Sequence, residues 1–147
     1  MTLVLGPAPE NHGIKFLRKG LEGGRERLVG ATHDAVSASE LCTIIGDHES
    51  GAVSTIEHLM AAVYATGIDN LLVEIDGAEV PIMDGSSIPF IYLLQTAQIR
   101  EQDAPKKFVL INDVIEVKDK DKWARFEPYQ GFKVDFTIDF PHPVFDE

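Results

Sequence analysis

"STIEHLMAAVYATGIDNLLVEIDG", residues 54–77, places a helical pattern directly before a strand pattern, and its reading decides the fold. Ile56, Leu59, Met60 and Val63 recur at i, i+3, i+4 and i+7, which is one face of a helix, and Gly67 is a natural stop. "NLLVEIDG" then reads as a strand with a turn after it. Two titratable residues, Glu57 and His58, stand side by side where this apolar helix begins. Two readings are open. Ser54 followed three residues later by Glu57 has the form of a capping box, in which both side chains satisfy orphan backbone N–H groups. A carboxylate there also complements the helix dipole, and His58 is then a partly buried histidine with one hydrogen bond. Alternatively, His58 binds a metal and Glu57 handles protons. Neighbours on a helix diverge by about 100°, so the two can serve one substrate with only the histidine on the metal.

Outward from this stretch, "MTLVLGPAP" is a short strand cut off by prolines, "GIKFLRKGL" a second extended segment and "GLEGG" a turn. "SELCTIIGDHESGAV" contains an apolar strand, 41–45, and a polar loop. "MDGSSIPFIYLLQTAQI" starts a second helix, with Ser86 or Ser87 as cap, Pro89 in its first turn, and Ile91, Leu94 and Ala97 toward the core. After the charged "REQDAPKK" the pattern becomes three strands, "KFVLINDVIEV", "KWARFEPY" and "FKVDFTIDF", with "KDKDK" and "YQG" as turns. The expected class is α+β: a first domain at 1–102, a linker at 103–107, and the opening sheet of a second, incomplete domain at 108–147. A three-stranded meander with one apolar face needs a cover, and no remaining residues supply it.

A chain of 147 residues that is 44% apolar and 25% charged has a real core and is not disordered. The longest apolar run mid-chain, 59–65, is too short to span a bilayer, and "MTLVLGPAPE" lacks the features of a signal peptide. The lone Cys42 excludes an internal disulfide and fits a reducing cytoplasm. A net charge of −11 without a basic run argues against nucleic acid as a partner. A phosphate-bearing small molecule remains compatible, since one or two placed lysines suffice.

A catalytic zinc usually takes three protein ligands and keeps a position for water. The other histidines, His12, His33, His48 and His142, form no H-x-x-x-H or H-E-x-x-H pattern. "HPVFD" spaces His142 and Asp146 for one helix face, but Pro141 and Pro143 flank that histidine and oppose a helix. It is not read as a ligand pair. "EIDGAEVPIMDGSSIPF" lacks EF-hand spacing and reads as a strand, a turn and a helix start. Cys42, in an apolar run, reads as a core thiol more readily than as a nucleophile. Lys122 in "KDKDKW" is suited to a phosphate, although such clusters are commonly solvated turns.

The run from "STIEHLMAAVYATGIDN" through "PIMDGSSIPFIYLL" resembles the UDP-3-O-acyl-N-acetylglucosamine deacetylases, zinc enzymes of lipid A biosynthesis in Gram-negative bacteria. "GPAPENHGI", "LCT", "KKFV", "DKWARFEPYQGF" and "DFTIDFPHP" extend the resemblance over essentially the whole chain. The resemblance implies that His58 is a zinc ligand and that Glu57 is the general base acting on the zinc-bound water. It implies that Leu41, Cys42 and Thr43 form a strand lining the substrate side of the metal. Lys122, Asp139 and Phe140 fall where the family contacts the UDP part of its substrate, a UDP-linked acylated glucosamine.

The departures from the family pattern are equally specific. Family members are about twice this length, and their second domain supplies the other zinc ligands as a His-x-x-x-Asp pair on a helix, together with a further catalytic histidine. The family's first strand and a Gly-rich turn with a histidine are missing upstream of Met1. The expectation is therefore a cytoplasmic deacetylase fragment, truncated at both ends, that binds Zn2+ weakly or not at all and does not turn over substrate alone. One rival is a non-catalytic UDP-sugar-binding or interaction fragment. Another is an intact small metal hydrolase that recruits His33 or His48.

Overall fold

The structure is a computed structural model that describes residues 1–137 and 139. It divides into two units, Met1–Lys106 and Lys107–Glu147. The first carries strands β1 (Leu3–Pro7), β2 (Ile14–Arg18), β3 (Arg27–Gly30), β4 (Val36–Ala38) and β5 (Ile44–Ile45), helix α1 (Glu57–Ala65), strand β6 (Leu71–Ile75) and helix α2 (Ile88–Thr96). The second carries strands β7 (Ile115–Asp119) and β8 (Lys122–Phe126). The chain adopts the α+β class that its sequence pattern predicts.

Four strands of the first unit form one mixed sheet in the order β1-β6-β2-β3. β6 pairs antiparallel with β1 (Leu5 opposite Val73) and parallel with β2 (Phe16 opposite Val73), and β2 pairs antiparallel with β3 (Phe16 opposite Val29). Parallel neighbours cannot be joined by a tight turn, so the path from β2 to β6 runs through β3–β5 and α1. Alternation along β6 buries Leu71, Val73 and Ile75 and leaves Leu72 and Glu74 half-buried. Leu59, Ala62 and Val63 of α1, with Phe90 and Leu94 of α2, join Phe16, Val29, Val73 and Ile75 in one core.

The helical face predicted for α1 is the face that packs: Ile56, Leu59 and Val63 are buried and Met60 lies against them. In α2 the core takes Phe90 and Leu94, with Ile91 at its edge, while Ala97 is exposed just past the helix end. Pro89 stands in the first turn as expected, and Ser86 Oγ accepts the Ile88 N–H at 3.2 Å.

Three local expectations are corrected. The capping box does not form: Ser54 Oγ donates to the Ala78 carbonyl at 3.1 Å, and the residue preceding α1, Ile56, makes no side-chain cap. The strand expected over 41–45 shrinks to Ile44–Ile45, because Leu41 has φ +66° and an extended run cannot pass through the left-handed region. In the second unit, β7 and β8 form a hairpin about the expected "KDKDK" turn, but the described residues 132–137 add no third strand. Every residue of β7 and β8 is exposed, so the hairpin offers no covered apolar face on which another strand could be ordered.

Residues at the end of the first unit are pinned to it. Gln102 Nε2 donates to the Ala8 carbonyl at 3.0 Å, the Asp103 N–H to Glu10 Oε1 at 3.0 Å, and Lys106 pairs with Asp69 at 2.9 Å.

Phe16 is fully buried at the centre of the sheet, on the strand that joins β6 to β3. Phe16→Ala should lower the unfolding free energy by about 3–5 kcal/mol, read as a fall in urea midpoint at constant slope.

Candidate active site

Three segments of the first unit converge at the start of α1. Thr43 stands just before β5 and is bonded in both directions. Its N–H donates to Glu57 Oε2 at 3.0 Å, and its carbonyl accepts the Ile56 N–H at 3.4 Å. The Glu57 carboxylate therefore reaches across to a separate loop instead of folding back on its own helix end. Glu57 and His58, successive residues of the first turn, are both half-buried. They sit at the rim because the next residue, Leu59, is drawn fully into the core.

The third segment is the turn after β6 and before α2. Ser86 donates to Asp84 Oδ1 through its N–H at 2.9 Å and through its hydroxyl at 2.8 Å. These bonds, the backbone one foremost, hold the Asp84 carboxyl below its ordinary value, and the charge of His58 lowers it further. Asp84 lies in the turn that the sequence pattern predicts, and spacing alone gives it no role there. The signal was present in "DGS", an Asp whose carboxylate bonds the residue two positions on.

Each of the three segments passes through a non-glycine residue in the left-handed region: Leu41 (φ +66°), Thr55 (φ +58°) and Met83 (φ +55°). Such residues cost of order 1–3 kcal/mol each and persist only where their surroundings enforce them. Thr55 is buried, and its hydroxyl donates to Glu79 Oε1 at 2.6 Å.

The residues singled out from the sequence divide accordingly. Thr43, Glu57 and His58 come together, with the free, half-buried thiol of Cys42 next to Thr43. Leu41 is fully exposed in a bend, so 41–43 is a loop and not the strand expected to line a substrate. Lys122, at the start of β8, and Asp139 are exposed residues of the second unit. Phe140, His142 and Asp146 lie outside the described residues. Among the described residues, no group of three or more His, Cys, Asp or Glu side chains could hold a metal, and neither His33 nor His48 completes such a group.

The family model for UDP-3-O-acyl N-acetylglycosamine deacetylase matches residues 1–147. The chain belongs to this family. The UDP-3-O-acyl-N-acetylglucosamine deacetylase of Thioalkalivibrio sulfidiphilus (strain HL-EbGR7) is 52% identical over 143 residues, which cover 97% of this chain and 46% of that protein. The enzyme of the same name from Glaesserella parasuis serovar 5 (strain SH0165) is 51% identical over 145 residues, 98% of this chain and 47% of the relative. That of Pseudoalteromonas atlantica (strain T6c / ATCC BAA-1087) is 48% identical over 147 residues, 100% of this chain and 48% of its own length. This deacetylase-family chain thus spans about half the length of the curated relatives it matches.

The Asp84 geometry has a consequence in solution. A carboxyl whose folded value is depressed adds stability that is complete above the ordinary value of about 3.9 and is lost as pH falls through the folded value. A 13C titration should find Asp84 below the ordinary aspartate range, and Ser86→Ala should move it upward. An Asp84 that titrates identically in both proteins contradicts the assignment.

Proposed function

We propose that this chain forms the first domain and the opening sheet of the second domain of a zinc-dependent amidohydrolase. The reaction is hydrolysis of the N-acetyl group of UDP-3-O-acyl-N-acetylglucosamine, as in lipid A biosynthesis. The observation that carries this reading is the Glu57–Thr43 hydrogen bond beside His58, in a chain matched by the family along its full length.

The donor chemistry is that of part of a zinc site. His58 offers one imidazole on a helix whose body is locked in the core, a suitable mount for a ligand. A catalytic zinc takes three protein ligands, and the described residues gather no such group. The remaining ligands are assigned to parts of the whole protein beyond this site. Zinc, when bound, supplies Lewis acidity that brings a water toward hydroxide near neutral pH. Glu57 takes the water's proton on Oε1, because Oε2 already accepts the Thr43 N–H. That bond orients the carboxylate before substrate arrives. The chain alone, with one histidine at the site, does not turn over substrate.

For the UDP part we assign Lys122, Asp139 and Phe140. The chain carries −11 overall, so a pyrophosphate is held by placed cations and not by a general field. No helix among the described residues is long and apolar enough to cross a membrane. Cys42 is free, and we place the enzyme in the reducing cytoplasm.

In the whole protein, Glu57→Gln should lower kcat by about 10²–10⁴-fold with zinc content unchanged, whereas His58→Ala should lower zinc content itself. The 147-residue chain should show no turnover in the same assay. A Glu57→Gln enzyme with full kcat, or turnover by the chain alone near that of the whole enzyme, would overturn this reading. Lys122→Ala should weaken UDP binding while leaving zinc content as it was.

A further inference from the structure

We propose that Thr55 and Glu79 are positioning residues for Glu57: their hydrogen bond holds a strained backbone step that aims the Glu57 carboxylate at Thr43. The catalytic meaning of that aim rests on the function proposed above; the device itself does not.

The chain before α1 is pinned on both sides of one residue. Upstream, Ser54 is bridged to 78–80: its N–H donates to the Ala78 carbonyl at 2.9 Å, and its own carbonyl accepts the Val80 N–H at 3.0 Å. Downstream, Ile56 donates to the Thr43 carbonyl, and Glu57 accepts from the Thr43 N–H. A single residue must turn the chain from the bridge into the helix, because Ile56 already has helical φ and ψ of −79° and −16°. Thr55 makes that turn at φ +58°. A β-branched side chain is among the least suited to this region, where its Cβ crowds the neighbouring carbonyl.

What holds it there is visible. Thr55 is the one buried polar residue among the described residues, and a buried hydroxyl requires a partner. The Glu79 carboxylate provides it at 2.6 Å, a charge-assisted bond stronger than one between neutral groups. Glu79 itself is exposed, so burial does not force it into this contact. Relaxing Thr55 to negative φ would swing Ile56 and Glu57 away from Thr43 while Ser54 stayed bridged.

Glycine separates this device from an ordinary structural hydrogen bond, since it adopts positive φ without a Cβ penalty. The reporter is the Thr43 amide of the 147-residue chain, followed by hydrogen exchange, with the Phe16 and Val73 amides of the sheet as controls. Glu79→Ala should lower Thr43 protection by about tenfold while the controls hold. Thr55→Gly, which loses the hydroxyl but accepts positive φ, should keep Thr43 protection within about twofold, whereas Thr55→Val, which loses the hydroxyl and keeps the β-branch, should lower it as Glu79→Ala does. Unchanged Thr43 protection in Glu79→Ala sinks the proposal, as does a fall in Thr55→Gly equal to that in Thr55→Val. If Glu79→Ala alone fails to fold, adding Thr55→Gly restores folding under the proposal, and failure to restore it counts against the proposal. The readout is an amide and not turnover. The expected exchange pattern in this chain, together with full kcat for Glu57→Gln in the whole protein, would indict the function and leave the device standing.

Discussion

Strand β6 is hydrogen-bonded along both edges, to β1 and to β2, so its backbone is satisfied before any helix packs. Its buried side chains, Leu71, Val73 and Ile75, are not. Covering them is the constraint from which the site geometry follows. α1 answers it by burying Leu59, Ala62 and Val63. That seating fixes the rotation of the helix about its axis, and Glu57 and His58 emerge together at the rim. A helix of nine residues without a side-chain cap is marginal alone. Its stability comes from the core and from the Thr43 contacts, so the site and the fold stabilise one another.

The cost of this arrangement appears in the backbone. Among the described residues the other non-glycine positions at positive φ are Asn11, Gln98 and Lys120, all polar. Leu41, Thr55 and Met83 are apolar or β-branched, and they stand two, two and one residues before Thr43, Glu57 and Asp84. Strain of this kind has to be held by neighbours. At Thr55 the holder is identifiable: a buried hydroxyl bonded to a carboxylate. The same sharp steps explain why 41–43 could not be the strand its apolar composition predicts.

The parts of the fold that were legible in the sequence follow from periodicity. The face of α1, the strand at β6, the helix stop at Gly67 and Pro89 in the first turn of α2 depend on local spacing, which tertiary packing did not override. Features set by long-range contacts were not legible. Ser54 and Glu57 have the spacing of a capping box, but Ser54 found Ala78 and Glu57 found Thr43, partners 24 and 14 residues away. Local spacing cannot reveal that competition. The Glu57–His58 pair stayed ambiguous from spacing for the same reason, since a cap and a proton-handling carboxylate use identical residues. In α2 the expected Leu94 and Ile91 meet the core, but Ala97 lies past the helix end and is exposed, while Phe90 enters the core unforeseen.

Charged groups in the second unit are largely paired with near neighbours. Lys118 pairs with Glu116 at 3.0 Å, and Arg125 pairs with Glu127 at 2.6 Å and lies 5.2 Å from the centre of the Trp123 ring. A cation already paired must give up that partner to take a phosphate, and the exchange returns little in water-exposed surroundings. Among the described residues, Lys122 makes no ion pair, and its backbone is fixed opposite Asp119 at the start of β8. Beyond roughly 8 Å at physiological salt the remaining acidic groups are screened. The potential at Lys122 is therefore set by its near neighbours, Asp119 and Asp121 among them, more than by the net −11 of the chain.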